Sequence, residues 1–197
     1  MLGEIHIPAA LHGVDLEPEA LAQCRIHAGS ASLTRADAHS LPYSDRSFDI
    51  AFCHFLLLWV ENPLQVLREM ARVARTVIAL AEPDYSQRVD EPKTLKPLGE
   101  WQTQSLMRQG ADPFFGRELA ETFHQAGIRI QETGTLQRSG VKRSLEEWEN
   151  EWDVIEADLA ESVPSVDIQR MKRLDDEARR RGERVLHVPT YFAWGKT

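Results

Sequence analysis

The chain has 197 residues, 42% of them apolar and 27% charged, with a formal net charge of −8. That length and composition suit one globular domain and exclude a chain disordered throughout. The acidic balance argues against nucleic acid as a partner, because recognition of phosphates needs a basic surface. The two cysteines, Cys24 and Cys53, are too few for a disulfide framework. The longest apolar stretch, Ile50 to Val60, contains Cys53 and His54 and falls short of the roughly 20 residues that span a bilayer. No basic region followed by an apolar run opens the chain. The expectation is a reduced, cytoplasmic protein with no membrane partner.

Leu11 to Leu16 reads as a short strand with Asp15 near its end, and Pro18 opens a helix where its missing N–H is no loss. Ala31 to Ala36 is a second, weaker strand. After the turn signal Ser44-Asp45-Arg46, the run Ser47 to Phe55 is a third. Asn62-Pro63 then opens a helix with Leu64, Leu67, Met70, Ala71 and Ala74 at helical spacing. Val77 to Ala81 is a continuous apolar run of the buried-strand type, stopped by Glu82-Pro83-Asp84. Strands alternating with helices predict crossover units and a parallel sheet. In the second half, Lys96 to Gln109 and Pro113 to Ala126 read as helices, the latter closed by Gly127. Ile128 to Leu136 is a strand, Ser144 to Ala160 and Val166 to Gly182 are charged amphipathic helices, and Val185 to Trp194 is a final aromatic strand. There is no internal repeat and no low-complexity tract.

Three runs in order, Gly13-Val14-Asp15-Leu16-Glu17-Pro18, Ala36-Asp37-Ala38-His39-Ser40-Leu41-Pro42-Tyr43 and Ser47-Phe48-Asp49, resemble the class I S-adenosylmethionine-dependent methyltransferases of small-molecule type. Ala81-Glu82-Pro83-Asp84-Tyr85, Arg108 to Pro113 and Val188 to Gly195 extend the resemblance over nearly all of the chain from Leu11. It implies an α/β, Rossmann-like sheet, mostly parallel with an antiparallel C-terminal strand, forming a single domain over residues 1–197. Ligands of such sheets sit beyond the carboxyl ends of the strands. The resemblance assigns S-adenosylmethionine as cofactor, held by Asp15 on the ribose hydroxyls, Leu16 on an adenine face, and Asp37 and the Ala38 N–H on the adenine edge. His39, His54 and Phe55 complete that set, with His54 also the candidate base. The acceptor is a small molecule, with Trp59, Tyr85, Arg88, Phe114 and Trp148 facing it and segments 84–116 and 139–182 as its cover.

Other readings of the same residues stand beside these. Asp15 ahead of Pro18 and Asp37 in a polar turn also suit capping, and Asp49 suits local structure at a strand start. Trp148 and Trp152 share one helix face and also suit docking of that helix onto the rest of the chain. Cys24, His27, Cys53 and His54 match no common zinc spacing, and Cys53 and His54 point to opposite faces of a strand, so no metal is expected. A nicotinamide-dependent oxidoreductase would also use Asp15 on a ribose. A non-catalytic remnant acting as an assembly or regulatory module is the third reading.

The remnant reading draws on what is missing. The family opens with a strand and a glycine-rich turn, whereas only Met1 to Ala10 precede the first strand here, with Gly3 their one glycine. The family's order places the lost strand in mid-sheet, between the strands ending at Asp15 and His54. Unpartnered buried backbone groups cost on the order of 1–3 kcal/mol each, so a gap of about five residues can exceed a domain's net stability of about 5–15 kcal/mol. The expectation is a fragment truncated at its N-terminus, its gap filled by Glu4-Ile5-His6-Ile7 as a substitute strand or by a second chain in a homodimer.

Overall fold

A computed structural model describes residues 10–28, 30–136 and 145–197. Strand β1 (His12–Asp15) leads through helix α1 (Pro18–His27) to β2 (Ser32–Arg35). The two strands pair in parallel, from His12 opposite Ser32 to Asp15 opposite Arg35. Strand β3 (Phe48–His54) leads through α2 (Pro63–Val73) to β4 (Ala74–Pro83), again parallel, from Phe48 opposite Ala74 to His54 opposite Leu80. Asn62 caps α2 by accepting the Gln65 N–H at 3.0 Å, and Val66, Leu67, Met70 and Val73 form its buried stripe. The expected helical place of Ala74 is corrected: it opens β4, because its register with Phe48 demands extended backbone there.

The rest of the main sheet comes from the C-terminal half. Strand β8 (Thr190–Lys196) runs antiparallel between β4 and β6 (Arg129–Thr135), giving the order β3-β4-β8-β6. The Pro113–Ala126 segment is a 3-10 turn (Phe115–Glu118) followed by α4 (Leu119–Gln125), not one helix. Gly116 presses on the end of β4, where an added Cβ would lie 2.5 Å from the Glu82 carbonyl oxygen. The final aromatic run is two strands. Val188-Pro189 breaks it, since Pro189 has no N–H to continue a ladder, and β7 (Val185–His187) turns away to pair with β5 (Val89–Glu91).

Two cores result. Leu57, Leu67, Leu119 and Phe123 pack with Cys53, Val77 and Ala79 on one face of the sheet. Helices α3 (Lys96–Arg108), α5 (Leu145–Leu159) and α6 (Ser165–Arg180) close a second core around Leu98, Trp152, Leu159 and Ile168. Among the described residues, no helix is long and apolar enough to cross a membrane.

The sheet is not continuous. Among the described residues β1 has β2 as its sole strand partner and β3 has β4, so the β1–β2 pair is a separate sheet. Ring contacts bridge the two near their starts, with His12 edge-on to Phe48 at 5.2 Å and to Tyr43 at 6.0 Å. On the face of β3 opposite the core, Ile50 is 54% exposed and Phe52 42%. The exposed face of β3 is thus apolar. The substitute strand Glu4–Ile7 and residues 139–144 of the expected cover lie outside the described residues.

The second core rests on one buried carboxylate. Asp175 accepts the indole N–H groups of Trp148 and Trp152 at 2.8 and 3.0 Å and pairs with Arg184, which also pairs with Asp90. Asp175→Ala strands two indoles and an arginine, and removing one partner of a buried pair costs about 3–5 kcal/mol. Chemical denaturation followed by tryptophan fluorescence should show a loss of that size.

Candidate functional site

Parallel strands finish at one edge of their sheet, and the register of β1 with β2 sets Asp15 beside Arg35, two residues ahead of Asp37. Both carboxylates are exposed. Asp15 Oδ1 accepts the Glu17 N–H at 2.9 Å, which orders the turn into α1. Asp37 Oδ1 accepts the His39 N–H at 2.8 Å and faces His39 Nδ1 at 2.7 Å. In each case the second carboxylate oxygen has no hydrogen-bond donor among the described residues. The His39 N–H and ring hold Asp37 below the usual carboxylate range. His39 Nε2 accepts the Asn62 N–H at 3.2 Å, so the proton belongs on Nδ1, donating to Asp37. Leu16 is exposed, and Ala38 packs on the main core.

A polar strap fixes the loop carrying Asp37. Arg72 donates to the Leu41 and Tyr43 carbonyls and to Asp45, and pairs with Glu69, which accepts the Leu41 N–H at 2.8 Å. The Arg72 hydrogen bond keeps Glu69 below its ordinary value.

At the tip of β3, His54 and Phe55 are exposed and Phe55 has φ of +54°. A bulky residue in the left-handed region is uncommon and needs its surroundings to hold it. Glu82, fully buried at the end of β4, does so. Its Oε1 accepts the N–H groups of Leu56 and Leu57 at 3.0 Å, and Oε2 that of Leu58 at 3.2 Å. Burial pushes Glu82 up, while those three N–H groups and the charge of His54 pull it back, with a net rise. Ala81 beside it is also left-handed, at φ +62°, where the pairing of β4 with β8 shifts register. From the sequence alone Glu82 reads as a strand stop. The signal available was an acidic residue ending an apolar run; its three distant partners were not legible.

The residues expected to face an acceptor divide. Trp59 is 38% exposed in the turn after β3. Tyr85 is half-buried, its N–H donating to the Pro113 carbonyl, and Phe114 lies near it with Arg117 over its ring. Arg88 is bound to Asp90 at 2.6 Å, both nearly inaccessible, and Trp148 donates to Asp175 under the Arg179 guanidinium. Those two side chains therefore sit in the network of the second core. Asp84, ahead of Tyr85, is fully buried. Burial raises it, but hydrogen bonds from Ser86 and Gln87 and the Arg117 guanidinium outweigh that and hold it low.

Comparison with known proteins agrees with the topology. Residues 2–77 match the family model described as a methyltransferase domain. A malonyl-[acyl-carrier protein] O-methyltransferase of Halorhodospira halophila is 32% identical over 133 residues, spanning 64% of this chain and 40% of the relative. The chain thus spans well under half of that curated relative. A methyltransferase candidate from an antibiotic biosynthesis pathway of Anabaena variabilis superposes with TM-score 0.65 at 12% identity, over 94% of this chain and 81% of that one. Geranyl diphosphate methyltransferase, solved in complex with SAM, gives TM-score 0.56 at 12% identity, over 99% and 71%.

Glu82→Gln puts an amide donor against the Leu58 N–H, at a cost of about 1–3 kcal/mol for an unsatisfied buried group. A carboxyl raised in the fold contributes stability in full below its unfolded value near 4.5, and that contribution is lost as pH rises through the higher folded value. Denaturation across pH 4 to 8 should show this decline in the parent and its absence in Glu82→Gln.

Proposed function

With the fold of the class I S-adenosylmethionine-dependent methyltransferases as premise, we propose that this chain binds S-adenosylmethionine and methylates a small-molecule acceptor. One observation carries the reading: Asp15 and Asp37 stand at the tips of paired parallel strands, each with one oxygen engaged in its own turn and one open. Capping and ligand binding are thus served by different oxygens of the same side chain. The open oxygen of Asp15 takes a ribose hydroxyl. That of Asp37 takes the adenine amino group, with the Ala38 N–H beside it, Leu16 against the base and His39 setting the Asp37 carboxylate. His54 and Phe55 face the methionine end.

S-adenosylmethionine supplies a methyl group on a sulfonium, which an aligned nucleophile displaces in line. The protein's part is chiefly to align the two, which alone removes much of such a barrier. His54, exposed at the tip of β3, takes the acceptor's proton where one must leave. Trp59, Tyr85 and Phe114 wall the acceptor, segment 84–116 and the described part of 139–182 cover it, and Arg88 and Trp148 act by holding that cover together. The methyltransferase from H. halophila makes a malonyl thioester the first acceptor to try. The two free cysteines fit a cytoplasmic setting.

A second copy completes the sheet. The edge of β3 that has no strand partner among the described residues and the exposed Ile50 and Phe52 favour a homodimer over an isolated chain. Sedimentation should give a dimer that Phe52→Lys returns to monomer.

Calorimetric titration with S-adenosylhomocysteine should show saturable binding, weakened at least tenfold by Asp15→Ala and by Asp37→Ala. Binding of NAD alone would favour an oxidoreductase, and binding of neither would favour a remnant without catalysis.

A further inference from the structure

A cleft of about 380 Å³ lies away from the Asp15–Asp37 cradle, between the end of β6, the start of β8 and the turn into α4. Its floor is small and apolar, made by Gly116, Leu119, Ala120 and Gly134. Arg117 and Tyr191 stand at its wall. The cleft borders the end of β4, where Gly116 packs on Glu82 and Tyr191 is its register partner, and its volume falls in the range of small-ligand sites.

The polar groups on that wall are partly committed. Arg117 Nη2 donates to Asp84 at 2.9 Å and Nε to the Phe114 carbonyl at 3.4 Å. Nη1 has no acceptor among the described residues, and the side chain is 46% exposed. The Tyr191 hydroxyl accepts from Gln87 Nε2 at 3.4 Å, and its own proton has no acceptor among the described residues. Gln87 also donates to Asp84 at 3.0 Å, so one chain of hydrogen bonds joins Arg117, Asp84, Gln87 and Tyr191 and fixes both donors. Asp84 shares its charge among Ser86, Gln87 and Arg117, which leaves the guanidinium able to attract a second anion.

The geometry points to a binding site for a small monocarboxylate with an apolar body. The carboxylate accepts from Arg117 Nη1 and the Tyr191 hydroxyl, as a guanidinium and carboxylate prefer. The body lies over Ala120 and Gly134. None of its residues belongs to the proposed cofactor cradle, while Gly116 and Arg117 border the proposed acceptor side through Phe114.

Benzoate serves as probe and benzamide as its neutral isostere, with binding followed by calorimetry at physiological salt. Saturable benzoate binding, at least tenfold tighter than benzamide, is expected. Ala120→Phe fills the cleft and should abolish it. Tyr191→Phe, which leaves the fold's core contacts in place, should weaken it at least threefold. S-adenosylhomocysteine affinity should stay unchanged in both variants. No saturable benzoate binding, equal binding of benzamide, or benzoate binding indifferent to both variants would overturn the site. Failure of S-adenosylhomocysteine to bind the parent chain would overturn the methyl-transfer reading and leave this one standing.

Discussion

Parallel pairing makes strands finish together, and that constraint sets Asp15 beside Arg35 and His54 beside Leu80 at the ends of their pairs. β1 and β2 end at Asp15 and Arg35, β3 ends at His54, and β4 runs on to Pro83. Crossover helices carry the chain back, so the loops after each strand gather where a ligand can meet several at once. Backbone hydrogen bonding sets this arrangement before any side chain is chosen. Side chains then decide what the edge can hold.

Rigidity at that edge comes from buried charge used as scaffolding. Glu82 spends both oxygens on the turn after β3 and keeps Phe55 in a left-handed conformation. Arg72 and Glu69 do the same for the loop after β2, and Asp175 for the second core. Each carboxylate is surrounded by several donors, which is how a charge withdrawn from water is tolerated. The exposed Asp37 and His54 lie next to segments fixed in this way, while Asp15 is set by its own turn and its register with Arg35.

Among the described residues no strand joins β1 to β3, which separates two demands that a continuous sheet would satisfy together. Backbone groups at an open edge find water, whereas an apolar face left bare does not gain from it. Ile50 and Phe52 therefore carry the consequence of the break, while the His12, Tyr43 and Phe48 rings keep the two sheets adjacent.

Most of the architecture was legible in the residues. Helical spacing after Asn62-Pro63, the apolar run at Val77 and the acidic tip at Asp15 are local signals, and the α/β reading rests on them. Boundaries failed where long-range contacts intervened: Ala74 joined a strand because Phe48 lies opposite, and Gly116 broke a helix because β4 presses there. Sequence by itself determined the alternation of elements and the acidic strand tips, since these depend on neighbours along the chain. Only the tertiary structure decided that Glu82 is a buried clamp, that Arg88 and Trp148 belong to the polar network of the second core, and that, among the described residues, β1 and β2 form a sheet of their own. Those outcomes depend on partners tens of residues away, and residue spacing along a chain does not encode which distant donor meets which acceptor.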